Sequence, residues 1–136
     1  FYSVQKSVIH DIRQTDTRNY KKFKLMFNEY INYHKNMILE LNQEIINHKG
    51  EIFLFGAHIF SQYLIGFGLS TKKINSILDN SPIKIGKRLY GTKLMVKSPK
   101  CLSSSINPLV ILKAGVYNEE IKTDILTNIN SKTKFI

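Results

Sequence analysis

The sequence predicts an α/β fold: a small Rossmann-like three-layer sandwich with a mostly parallel sheet, preceded by a long N-terminal helix. Three observations predict it. From Tyr20 to Ile45 apolar and aromatic residues recur at steps of three and four, the period of one helical face. After Gly50 that period gives way to four short, nearly all-apolar runs. Helix-like segments alternate with these runs, and strands that are apolar on both sides suit a parallel sheet covered on both faces.

The helical face comprises Tyr20, Phe23, Phe27, Tyr30, His34, Ile38, Leu41 and Ile45, which places a helix from about Thr17 to about His48. Asp16 or Thr17 suits its N-cap, and Gly50 lies just past its end. Such a helix is about 45 Å long at about 1.5 Å per residue. It is expected to lean on a partner or neighbouring domain as well as on its own core. The stripe itself reads as core rather than as a row of ligand-stacking rings. EIFLF (51–55) reads as a first strand and AHIFSQYLIGF (57–67) as a helix. KINSIL (73–78), TKLMV (92–96) and PLVILKA (108–114) read as three further strands. VYNEEIKTDILTNI (116–129) reads as the last helix, and the terminal TKFI as an edge strand. The stretch from Asp79 to Gly91 has no period and is rich in Pro, Gly and Lys, so it reads as a loop; SSS at 103–105 reads as a turn. The organisation expected is a linker and long amphipathic helix over 1–48, then one compact Rossmann-like unit over 49–136.

A chain of 136 residues, 43% of them hydrophobic, can build one domain with a real core. No apolar stretch is long enough for a membrane span and no signal-peptide pattern is present, so a soluble, cytoplasmic protein is expected. Because the chain starts at Phe1 rather than Met, it is expected to be part of something longer. A single cysteine, Cys101, excludes a disulfide framework and any multi-Cys zinc site within these residues, and it reads as inert. The net charge of +10 is uneven: residues 72–100 hold Lys72, Lys73, Lys84, Lys87, Arg88, Lys93, Lys97 and Lys100 against Asp79 alone. That field attracts anions, whether nucleic acid, a phosphorylated small molecule or an acidic membrane surface, unless these are simply solvated lysines.

In an open parallel sheet, ligands settle at the C-terminal ends of the strands, near helix N-termini. Three places qualify. Gly56-Ala57-His58 joins the first strand to its helix, but bulky residues stand where a G-x-G-x-x-G fingerprint needs its later glycines, so dinucleotide binding is not expected. His58 could donate to a phosphate or hydroxyl, or could simply pack. Asp79-Asn80-Ser81-Pro82 ends the second strand. Asp79 is placed to accept from a ribose hydroxyl or to form an Asx-type turn, and the two are compatible. Ala114-Gly115 precedes the last helix, whose first turn carries Tyr117 and Asn118; Glu119 and Glu120 suit the helix dipole.

GKRLYGTK (86–93) imitates a phosphate loop, but Thr92 and Lys93 stand in the wrong order and the segment leads into a strand. No Ser-His-Asp or Cys-His arrangement and no close carboxylate pair is recognisable. The lysine-rich loop lacks a recognition helix and interleaved aromatic residues, which argues against nucleic acid as the partner.

Taken together, FLFGAHIFSQYL, INSILDNSPIKIGKRLYGTKLMVKSPKCL and NPLVILKAGVYNEEI resemble the C-terminal domain of the sugar C-methyltransferase family, S-adenosylmethionine-dependent enzymes acting on nucleotide-linked deoxysugars. The matching positions are Gly56-Ala57, Asp79, Pro82-Ile83-Lys84-Ile85-Gly86, Tyr90-Gly91, Ser98-Pro99 and Glu120-Ile121. The lead-in SVIHDIRQTDTRNYKKF resembles the linker that follows the family's methyl-donor domain. His58-Ile59-Phe60-Ser61 departs from the family's Pro-Ala-Lys-Gly, and Tyr90 replaces a proline. The resemblance implies a bacterial methyltransferase in which a separate domain binds S-adenosylmethionine and catalyses, while these residues bind no cofactor or metal and supply no catalytic group. They would help to hold a nucleotide-sugar or related phosphorylated compound through Gly56, Ala57, His58, Asp79, Ser81, Lys84, Gly115 and Tyr117. The alternatives are a non-catalytic scaffold or homodimerisation module, a nucleotide-binding module, and, least supported, a basic nucleic-acid-binding domain.

Overall fold

The computed structural model describes residues 19–136. Its elements are α1 (Tyr20–Asn47), β1 (Ile52–Phe55), α2 (Ile59–Gly66), β2 (Ile74–Leu78), β3 (Val96–Lys97), a 3-10 helix (Pro99–Ser104), β4 (Leu109–Ile111), α3 (Asn118–Asp124) and β5 (Lys134–Phe135). The expected caps Asp16 and Thr17 lie outside the described residues. Contacts group into two units that divide between Tyr33 and His34.

From His34 onward the fold is the expected sandwich. All five strands are parallel, in the order β3-β2-β1-β4-β5. That order arises because the chain steps outward from β1 on one side and then returns to build the other side, leaving a topological switch between β1 and β4. Side chains alternate across the pleat. Ile52 and Leu54 of β1, with Ile111 of β4, join Ile38, Leu41 and Ile45 of α1 and Leu64 of α2 in one core layer. Phe53, Phe55 and Val110 face the other way, onto Leu102 of the 3-10 helix and Ile125 after α3. A register shift after Ile52 pairs Phe53 with Ser76 and leaves Asn75 as the extra residue. The bulge therefore lets Ile74 and Ile77, three apart, fill the same layer.

The α1 end is tied down by polar contacts. Asn42 donates to Gly68 O at 3.0 Å and accepts from Ser70 N at 2.8 Å. Lys73 Nζ caps the last carbonyls, at 2.8 Å from Ile46 O. Gly50 is needed for space: a Cβ there would lie 1.9 Å from Asn107 O.

Several sequence expectations are corrected. Ile38, Leu41 and Ile45 are core, but Tyr20, Phe23, Phe27 and Tyr30 are each more than half exposed, so the upper stripe is not core. The third strand is not 92–96. Thr92 Oγ1 accepts from Leu94 N and donates to Leu89 O, folding 89–94 into a turn, and the strand beside β2 is confined to Val96–Lys97. The fourth strand is shorter than 108–114, and the last helix is not continuous: a 3-10 turn at Gly115–Tyr117 leads into α3, and a π turn at Ile125–Ile129 ends it. The π turn closes where Asn130 N donates to Ile125 O at 2.8 Å. The serines at 103–105 fall at the end of the 3-10 helix.

Candidate functional site

Because the strands are parallel, Gly56, Asp79 and Gly115 all follow strand C-termini and stand on one rim. The first two strand exits are joined by hydrogen bonds. Gly56 N donates to Leu78 O at 2.7 Å, extending the β1–β2 ladder by one bond. Ala57 N then donates to Asp79 Oδ2 at 2.8 Å. Asp79 Oδ1 accepts from Ser81 N at 2.9 Å, the expected Asx-type turn. Lys84 Nζ completes the cluster at 3.0 Å from Asp79 Oδ2. Burial alone would raise the Asp79 pKa. Hydrogen bonds from the Ser81 N–H, the Lys84 ammonium and the Ala57 N–H outweigh it, as does the charge of Lys84, and hold the carboxyl below its ordinary value.

His58 caps α2, its Nδ1 accepting from Phe60 N at 3.2 Å. Its ring lies over Gly56, where a Cβ would come within 2.1 Å of His58 Nε2. Gly56 also needs φ of 99°, a left-handed conformation that side chains resist. Burial and the charge of Lys84 lower the His58 pKa, with Asp79 opposing, so the ring favours the neutral form that can accept the cap bond.

Six of the expected residues therefore form one cluster: Gly56, Ala57, His58, Asp79, Ser81 and Lys84. Gly115 and Tyr117 stand apart from it, at the end of β4 across the switch point from β1. Gly115 turns the chain with φ of 64°, and Tyr117 is exposed. Asn118 accepts from Ala114 N at 2.8 Å, while Glu119 pairs with Lys122. Residues that sequence reasoning did not select complete the site. Gln62, Lys87, Arg88, Leu89 and Tyr90 line a depression of about 220 Å³ with Ala57, His58 and Lys84. Only the density of lysines in this loop hinted at them.

Chemically, the cluster can bind and orient an anion or hydroxyl, with a neutral imidazole and several cations. Burial pushes the Cys101 thiol up, with Lys97 opposing and Glu51 adding to the rise, which disfavours the thiolate. Among the described residues no group of His, Cys, Asp and Glu is placed to hold a metal ion, and no helix is long and apolar enough to cross a membrane.

A family profile described as the C-methyltransferase C-terminal domain matches residues 3–136. The chain belongs to that family. No curated protein and no solved structure matches it.

Replacing Asp79 by Ala should cost about 3 kcal/mol, because two backbone N–H groups and an ammonium lose their acceptor. Urea unfolding with the midpoint and slope compared against the unaltered chain measures it. The depressed His58 pKa gives a second expectation. The unfolded chain takes up this proton near pH 6.5 and the folded chain only at lower pH. The His58 contribution is therefore complete above pH 6.5 and is lost as pH falls below it. Stability between pH 7.5 and 5.5 should fall more steeply in the unaltered chain than in His58→Asn, which keeps a capping oxygen but does not titrate.

Proposed function

We propose that this member of the C-methyltransferase C-terminal domain family is the substrate-side domain of an S-adenosylmethionine-dependent methyltransferase, holding a nucleotide-linked sugar or related phosphorylated compound. The observation that carries the reading is the rim cluster: Lys84 pairs with Asp79, Asp79 accepts from Ala57 next to the capping His58, and His58 and Lys84 border a cationic depression. Methyl transfer needs a donor site and a base, and both fall to a separate S-adenosylmethionine-binding domain. The β1–α2 turn suits that division. The N–H groups of Gly56, Ala57 and Phe60 are already donated within the chain, and the His58 ring covers Gly56 where a cofactor would approach.

Within this reading His58 offers its Nε2 proton to a hydroxyl or phosphate oxygen, since Nδ1 is engaged by the cap. Asp79 and Ser81 shape the turn, Lys84 supplies charge, and Gly115 and Tyr117 flank the other side of the switch point. The excess of lysine on this rim draws anionic substrate toward it. Cytoplasmic location follows from the nature of such substrates.

Amide NMR of the 136-residue chain with UDP-glucose or dTDP-glucose tests the assignment. Saturable shifts at Gly56 and Asp79 are expected, and unmoved signals at both in a folded sample would dismiss direct substrate contact.

A homodimer module is the second reading, favoured by exposed Phe23 and Phe27 with Tyr20 and Tyr30 along α1. A little over half of each of these side chains is exposed, so the four supply part of the roughly 800 Å² per partner of a standard interface. Sedimentation of Phe23→Ser/Phe27→Ser should then show loss of a dimer formed by the unaltered chain.

A further inference from the structure

The β1–α2 turn is closed by one side chain that can change its charge near neutral pH. His58 Nδ1 accepts from Phe60 N at 3.2 Å and so caps α2. The other edge of the ring fills the space in front of Gly56, where a Cβ would lie 2.1, 2.6 and 2.8 Å from Nε2, Cδ2 and Cε1. The Phe60 ring stands perpendicular to the imidazole, with centroids 5.5 Å apart. Both edges of the imidazole are thus engaged, and the cap needs Nδ1 without a proton. His58 is also one of the positions at which this sequence departs from the family pattern.

The helix leans on this cap. α2 has eight residues, too few to hold its shape by backbone bonding alone, and no acidic residue in its first turn. Its first backbone bond, from Gln62 N to His58 O, is 3.4 Å long. Gly56 has a φ of 99°, so the backbone before the cap is free to change course once nothing packs against it.

The surroundings resist a charge on the ring. Lys84 is pinned by its 3.0 Å pair with Asp79, and Lys87 and Arg88 border the same depression as His58. The start of α2 adds the positive end of its dipole. Among these groups only Asp79 attracts an imidazolium, and its oxygens already accept from Ala57 N, Ser81 N and Lys84. Burial first, and Lys84 second, lower the His58 pKa against the pull of Asp79.

We propose that His58 is a proton-operated latch on the β1–α2 turn. As a neutral imidazole it holds Phe60 and covers Gly56; once protonated it lets go of both, and the first turn of α2 loosens while the sheet stays intact. Protonation takes the lone pair of Nδ1, and the new N–H faces the Phe60 N–H. The ring then turns out to water, away from the cations. The latch is shut at neutral pH and opens as pH falls below 6.5. It exposes backbone, namely the Phe60 N–H and the strand-end peptide at Gly56, and it works whatever the rim binds.

NMR of the isotope-labelled 136-residue chain between about pH 8 and about pH 5 tests the latch. Asp79 is held below its ordinary value and stays ionised throughout, so carboxyl titration at the turn does not intervene. At the upper end the His58 ring should carry its proton on Nε2. As pH falls, the Phe60 amide shift should follow the His58 titration. Exchange protection of Phe60 should drop roughly fivefold, the factor equivalent to a typical cap of about 1 kcal/mol. Ile77 and Val110 in the sheet should keep their protection. His58→Asn should hold the Phe60 amide in its capped state across the range, and His58→Ala should release it already at the upper end. Protection of Phe60 that persists through the His58 titration would overturn the proposal. So would the same transition in His58→Asn, which would assign it to another group such as His34 against Tyr63 of α2. Simultaneous loss of protection at Ile77 and Val110 would also overturn it, since that is unfolding of the whole domain and no local latch.

Discussion

One carboxylate ties together the strand-end rim of this domain. Asp79 stands at the end of β2, buried, where an isolated charge would be costly. It is satisfied by reaching across to Ala57 after β1, forward to Ser81 and onward to Lys84. Those bonds join the neighbouring strand exit, the turn after β2 and the basic loop at one point. Remove the acceptor and the β1–α2 turn, the cap of α2 and the course of residues 81–90 lose their common reference.

The loop beyond that point owes its form to apolar anchoring and strand pairing. Leu89 enters the core, Val96 returns its N–H to Lys87 O, and Gly86 N donates to Val96 O at 2.9 Å. The segment is thereby doubled back on itself beside β3 instead of running freely over the rim. Cations that look equivalent in the sequence acquire different tasks: Lys84 neutralises a buried carboxylate, Lys73 caps a helix, and Lys87 and Arg88 face the depression. Local pairing, and not the count of lysines, separates these tasks.

Much of the architecture was legible because period and burial are strongly coupled in a covered parallel sheet. IFLF and LVI are wholly apolar and INSIL mostly so, and all are strands. The exceptions have local causes. TKLMV has strand composition, yet Thr92 engages backbone groups on both sides and makes a turn, leaving a two-residue strand. The aromatic half of α1 has the same helical spacing as its buried half, and spacing alone does not tell a core stripe from an exposed one. Of the candidate site, the cluster from Gly56 to Lys84 was readable because glycine and acid sit at strand ends, where an α/β sheet places its ligands. Arg88 and Tyr90 were not, since nothing in their own neighbourhood distinguishes a lining residue from a solvated one.

The order of hydrophobic runs and helical stretches by itself determined the layered α/β body and its rim of strand ends, and the composition its excess of positive charge, because these depend on burial and net charge summed over many residues. The tertiary structure alone decided which partners each polar group takes. Asp79 meets Ala57 across 22 positions of sequence and Gln62 meets Tyr90 across 28, and such pairings follow from strand order and loop course, which no local pattern encodes.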